Sequence, residues 1–165
     1  MDSREWYKVD ANQTLRFFFE RLRDVSESAY PPVSELLYNA SMLAHFATTS
    51  TCSVDHFPAT PRDLGQMFDT CVLDRSWHLD SDILEASASQ CLVLTGFFCA
   101  QQVRRYNVEW YADLGAGYFQ QAAQRAADRD RARMMRVMAG RFEFWRYQQD
   151  KLARELREAP LLLRQ

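Results

Sequence analysis

The chain has 165 residues, of which 47% are hydrophobic, 13% aromatic and 25% charged, with five Gly and five Pro. That composition excludes intrinsic disorder and low-complexity sequence, and the length suits one compact domain, which most often runs to about 100–150 residues. A formal net charge of −2 and a pI near 5.9 exclude a globally basic nucleic-acid binder.

The opening Met1-Asp2-Ser3-Arg4-Glu5 is acidic from its second residue and has no apolar run behind it. No secretory or transit leader is therefore expected, and the expected location is cytoplasmic. A first helix is predicted from near Asn12 to Ser26, because Leu15, Phe18, Phe19, Leu22 and Val25 recur at helical spacing. Tyr30-Pro31-Pro32 ends any continuation, since Pro disfavours helix in the residue before it. A second helix follows, with Val33, Leu36, Leu37, Ala40, Leu43, Ala44 and Ala47 on its apolar face.

The Thr- and Ser-rich stretch from Thr48 to Thr60 reads as a loop. Thr60-Pro61-Arg62-Asp63 then reads as the start of a short third helix carrying Leu64, Met67, Phe68 and Cys71. Asp80 or Ser81 caps a fourth helix, over about 81–102, whose second half is apolar on nearly every side. Such a helix is surrounded by others, which places it at the centre. A fifth helix is predicted from Val108 to Ala127. It holds Gly115-Ala116-Gly117 in its middle, where each Gly costs about 1 kcal/mol relative to Ala. The compensation expected is that a missing side chain admits a neighbouring helix.

The last helix is predicted to run unbroken over about 129–158, stopped by Pro160. Met138, Phe142, Trp145, Gln149, Leu152 and Leu156 form a seam at spacings of four and three. No strand pattern appears. The expected architecture is all-α: a single domain over 1–165, built as a helical bundle of five to six helices.

Tests for chemistry are mostly negative. The run Cys91 to Ala100 is about half a membrane span, so no membrane association is expected. Cys52, Cys71, Cys91 and Cys99 include no Cys-x-x-Cys pair and read as reduced thiols. No Glu has a His three residues on, and the three His are scattered, so no metal and no cofactor is expected. Asp74 and His78 read as solvent-facing. Neither a nucleophile elbow nor a Gly-rich phosphate loop is present, and no catalytic residue is assigned. Glu85 is the notable carboxylate: on an apolar helix it calls for an arginine partner or for exposure in the first turn.

Charge is uneven. Residues 1–100 carry 7 basic and 14 acidic side chains, whereas 101–165 carry 13 basic and 8 acidic. Arg125, Arg129, Arg131, Arg133, Arg136, Arg141 and Arg146 crowd the start of the last helix. Either they dock on acidic parts of the chain or they form a solvated face. Nucleic acid is the weaker reading, because Asp128, Asp130 and Glu143 interrupt them.

The stretch Leu94-Thr95-Gly96-Phe97-Phe98, followed by Arg104-Arg105, Val108, Tyr111, Gly115 and Tyr118, resembles the central segment of an uncharacterised group of bacterial helical proteins. Leu37-Tyr38-Asn39-Ala40-Ser41-Met42-Leu43-Ala44-His45-Phe46 is similar to that group's second helix. The resemblance implies a bacterial origin and an all-helical fold, and brings no activity. The chain departs from the group at Cys99, where the group carries Pro, so the end of the fourth helix is expected to be continuous.

Two functional readings follow. In the first, a non-enzymatic bundle contacts a protein partner or a copy of itself, with Phe142, Phe144, Trp145 and Tyr147 as interface aromatics. In the second, the protein binds a small anionic or aromatic molecule, or acts on it. Its pocket would lie between the second, fourth and fifth helices, lined by Tyr38, His45, Glu85, Arg104, Arg105, Tyr111 and Tyr118. The arginine pair also stands ready to neutralise the C-terminal dipole of the apolar helix.

Overall fold

The computed structural model describes the backbone of residues 3–51, 65 and 80–158, and the side chains of 12–48, 65 and 80–158. Among the described residues the chain is all-α, with seven α-helices, one 3-10 turn and no strand. We number the helices α1 (Ser3–Val25), α2 (Val33–Thr51), α3 (Ser81–Thr95), α4 (Cys99–Gln102), α5 (Val108–Arg125), α6 (Arg129–Gly140) and α7 (Phe142–Glu158). They fall into two compact units, Met1–Thr60 and Pro61–Gln165. Apart from Gly65, the short helix expected around Leu64 to Cys71 lies outside the described residues, as do Asp74, His78, Cys52 and Cys71.

The first unit is a helical hairpin. Phe18, Leu22 and Val25 of α1 and Leu36, Ala40, Leu43 and Ala44 of α2 are buried as the two helices pack together. The reversal occurs at Tyr30, whose backbone is left-handed at φ 47° and which sits immediately before Pro31-Pro32. The helix itself ends at Val25, a 3-10 turn over Glu27–Ala29 intervenes, and Pro31-Pro32 bar any continuation. The expected loop from Thr48 begins later, because α2 continues to Thr51. The hydroxyl of Thr48 donates to the carbonyls of Ala44 (3.0 Å) and His45 (3.0 Å), which lets a turn-favouring residue sit inside a helix.

In the second unit α3 is the centre. Leu84, Ser87, Ala88 and every residue from Cys91 to Thr95 are buried. The Asp80 carboxylate caps its start, accepting from the N–H groups of Asp82 (2.8 Å) and Ile83 (3.4 Å). Asn107 does the same for α5 through Trp110 N–H (3.2 Å), and Asp128 for α6 through Asp130 N–H (2.9 Å). The Ser81 hydroxyl donates to the Ala122 carbonyl (3.0 Å), tying the start of α3 to the end of α5. The two helices therefore run antiparallel.

Two expected helices are broken. The fourth, expected over about 81–102, ends at Thr95; a turn through Gly96–Phe98 separates it from the short α4. No proline is needed, because Gly96 supplies the break. A Cβ there would lie 2.8 Å from the Leu92 carbonyl oxygen and 3.1 Å from that of Arg146. The last helix, expected unbroken over about 129–158, is interrupted at Arg141, directly after Gly140, a residue that costs a helix about 1 kcal/mol relative to Ala. The seam crosses the break nonetheless: Met138, Phe142, Trp145, Gln149 and Leu152 are all buried.

Gly115 shows why that seam closes. A Cβ on it would stand 2.5 Å from the Cys91 Cβ and 2.8 Å from the Phe142 ring, so α3, α5 and α7 meet where its side chain is missing. Gly117, two residues on, has nothing within 4 Å of the same position. The two substitutions therefore have opposite signs. Gly115→Ala forces a packed interior apart and costs about 1–3 kcal/mol in urea unfolding. Gly117→Ala relieves the helix penalty and stabilises by about 0.5–1 kcal/mol.

Candidate functional site

The seven residues expected to line a pocket are placed as follows. Tyr38 is half-buried and His45 exposed, both on α2 in the first unit. The other five belong to the second unit. There Tyr111 and Tyr118 are interior, while Arg104 and Arg105 are exposed in the turn before α5. Arg105 lies against the ring of Tyr106, 5.8 Å from its centroid. Glu85 is committed to Arg131 of α6, whose Nε donates to Oε2 at 2.9 Å and whose terminal nitrogen also reaches that oxygen. The same guanidinium meets Asp82 at 2.8 Å. This is the arginine partner that an apolar helix demands of its carboxylate.

Of the four aromatics expected at an interface, Phe142 (2% exposed) and Trp145 (0%) are interior. Their area is spent inside their own unit, which corrects their assignment to a surface. Phe144 is half-buried beneath Arg141, whose guanidinium carbon stands 4.2 Å from the ring centroid. Tyr147 is 64% exposed and remains available.

The cation that completes the apolar helix is neither Arg104 nor Arg105 but Arg146. Its Nε donates to the Thr95 carbonyl at 2.9 Å, one of the last acceptors of α3. Its Nη1 donates to Glu109 of α5 (3.0 Å) and to Glu143 one turn back on α7 (3.2 Å), and it also bonds the Cys99 side chain. Burial opposes the charge on this guanidinium. The hydrogen bond to Glu109 and the fields of Glu143 and Glu109 outweigh that, so its pKa is raised. A raised folded-state pKa means that this contribution to stability is present throughout the range below the ordinary arginine value. It is lost only in stronger alkali. The sequence signal for Arg146 was faint: it flanks the buried seam and stands three residues after Glu143.

A second arrangement faces outward. On α6, Ala132, Met135 and Met138 are buried, while Arg129, Arg133 and Arg136 recur at spacings of four and three and are exposed. Three guanidinium groups thus span about 10 Å along one helix face. Among the described residues no carboxylate pairs with any of them, in contrast to Arg131 and Arg146. The described residues contain no group of three or more His, Cys, Asp or Glu that could hold a metal ion, and no helix long and apolar enough to cross a membrane.

No protein-family model, curated protein or solved structure matches the chain. The chemistry of the site rests on its own residues.

Removing the interior arginine tests its role. Arg146→Met strands the Thr95 carbonyl and is expected to cost about 1.5–3 kcal/mol in urea unfolding, the usual worth of a buried hydrogen bond to a charged group. Glu109→Gln and Glu143→Gln, whose carboxylates are mostly exposed, are each expected to cost about 1 kcal/mol or less. The Arg146→Met loss should be constant between pH 6 and pH 10.

Proposed function

We propose that this chain is a non-enzymatic interaction protein that binds a protein partner, a second copy included, and that its contact surface is the outward face of α6. The observation that supports this reading is the row of Arg129, Arg133 and Arg136, unpaired among the described residues, on a helix whose opposite face is buried. Guanidinium groups present rigid donor forks that carboxylates fill in pairs. Placed at two successive helical spacings, they match acidic side chains repeating every three or four residues on a partner helix.

Several other polar side chains among the described residues serve the fold. Arg146 completes α3, Glu85 and Asp82 hold Arg131, and Asp80, Asn107 and Asp128 cap helices. A protein partner is favoured over nucleic acid by three features. The chain carries a net −2, Asp128 and Asp130 stand at the start of the row, and α6 has no aromatic side chain on which a base could stack.

The test is fluorescence anisotropy with a labelled polyglutamate peptide and a labelled DNA duplex at low salt. Wild type is expected to bind the acidic peptide. A variant with Arg129→Gln, Arg133→Gln and Arg136→Gln should keep its thermal stability and lose about 1–3 kcal/mol of binding, roughly 5- to 150-fold. Tighter binding of the duplex than of the peptide, or an unchanged affinity in the variant, contradicts the reading.

A further inference from the structure

The second unit also displays a surface of opposite character. Glu109 of α5 and Glu143 of α7 are held side by side because both accept from Nη1 of Arg146, yet their side chains remain 72% and 66% exposed. Asp113 lies one turn beyond Glu109 on α5 and is exposed. Glu109 and Glu143 share the one buried guanidinium and Asp113 has no such partner among the described residues, so these three positions carry more negative charge than Arg146 balances. Two exposed aromatics accompany them: Trp110 follows Glu109, and Tyr147 stands one turn after Glu143 on α7. Trp110 is 44% exposed while standing edge-on to the Tyr111 ring, and Tyr147 is 64% exposed.

Acidic groups beside exposed aromatic rings suit an arginine-bearing partner, since guanidinium pairs with carboxylate and stacks on aromatic faces. The chain itself carries such a partner in the α6 row. Resting on the interaction reading above, we infer that the occupant of the α6 arginine face is a second copy of this chain, received on its Glu109, Asp113, Glu143, Trp110 and Tyr147 surface. Each copy owns one donor row and one receiving surface. Two copies related by a two-fold axis satisfy both contacts at once, whereas a head-to-tail arrangement leaves one of each free and continues into longer assemblies. An interface of exposed ion pairs and two rings is weak, and it dissolves in salt.

Light scattering coupled to size-exclusion chromatography tests the inference, using the full chain loaded at about 200 µM. Wild type is expected to self-associate in low salt and to weaken at least about tenfold in high salt. Reversing the row (Arg129→Glu, Arg133→Glu, Arg136→Glu) should give a monomer, as should altering the receiving surface (Asp113→Arg, Tyr147→Ser). An equimolar mixture of the two variants should regain association through the one intact contact, more weakly than wild type, because each retains the face the other lost. Circular dichroism of each variant reports its folding, and the wild-type salt response stands independently of both.

A wild type that stays monomeric in low salt overturns the inference, as does undiminished association in either variant. The interaction reading is judged separately. A monomer that still binds polyglutamate through the α6 row removes the second copy as occupant and leaves that reading standing. A monomer that binds neither peptide nor itself removes both.

Discussion

A single buried guanidinium organises the second unit. The central helix is apolar on nearly every side, so its last carbonyls cannot all turn to water. Arg146 answers that need from a neighbouring helix, giving a hydrogen bond and a positive charge where the helix dipole is negative. The same group reaches α4 and α5, so one side chain ties the end of the core helix to three surrounding elements. Gly96 makes this possible, because the α7 backbone at Arg146 passes where its side chain would stand.

Five arginines of the second unit divide by direction. Arg131 and Arg146 turn toward the central helix and meet carboxylates or carbonyls there. Arg129, Arg133 and Arg136 turn away and meet none among the described residues. An ion pair inside a fold contributes to position; a row of unpaired cations outside it contributes nothing to stability and repels itself. Such a row is best understood through what it contacts. The proposed function follows from this division, in which the interior consumes polar groups and the surface offers them.

Much of the fold was legible because its signals are local. Asp80, Asn107 and Asp128 sit where helix starts need acceptors, the seam from Met138 to Leu152 repeats at coiled-coil spacing, and Gly115 marks a close approach. Glu85 announced an arginine partner by standing on an apolar helix, although its identity as Arg131 depended on tertiary placement. The two helix breaks were hidden for a physical reason. A glycine within a periodic apolar pattern leaves the pattern intact. At Gly96 the break is set by the Arg146 backbone packing against it. At Gly140 nothing among the described residues packs there, and only the glycine's weak helix propensity marks the break. Non-local contact also hid the interior cation: Arg104 and Arg105 are nearest to the helix end in sequence, but Arg146, 51 residues from Thr95, is nearest in space. Phe142 and Trp145 were misplaced because consecutive large residues do not say which of them the core accepts.

The division of arginines can be observed directly through the side-chain Nε–H resonances of isotopically labelled protein in dilute solution. Arg146 should give a dispersed signal protected from solvent exchange, while Arg129, Arg133 and Arg136 should exchange rapidly at the position of free arginine. Rapid exchange at Arg146, or protection of the α6 row in the dilute monomer, would contradict the account.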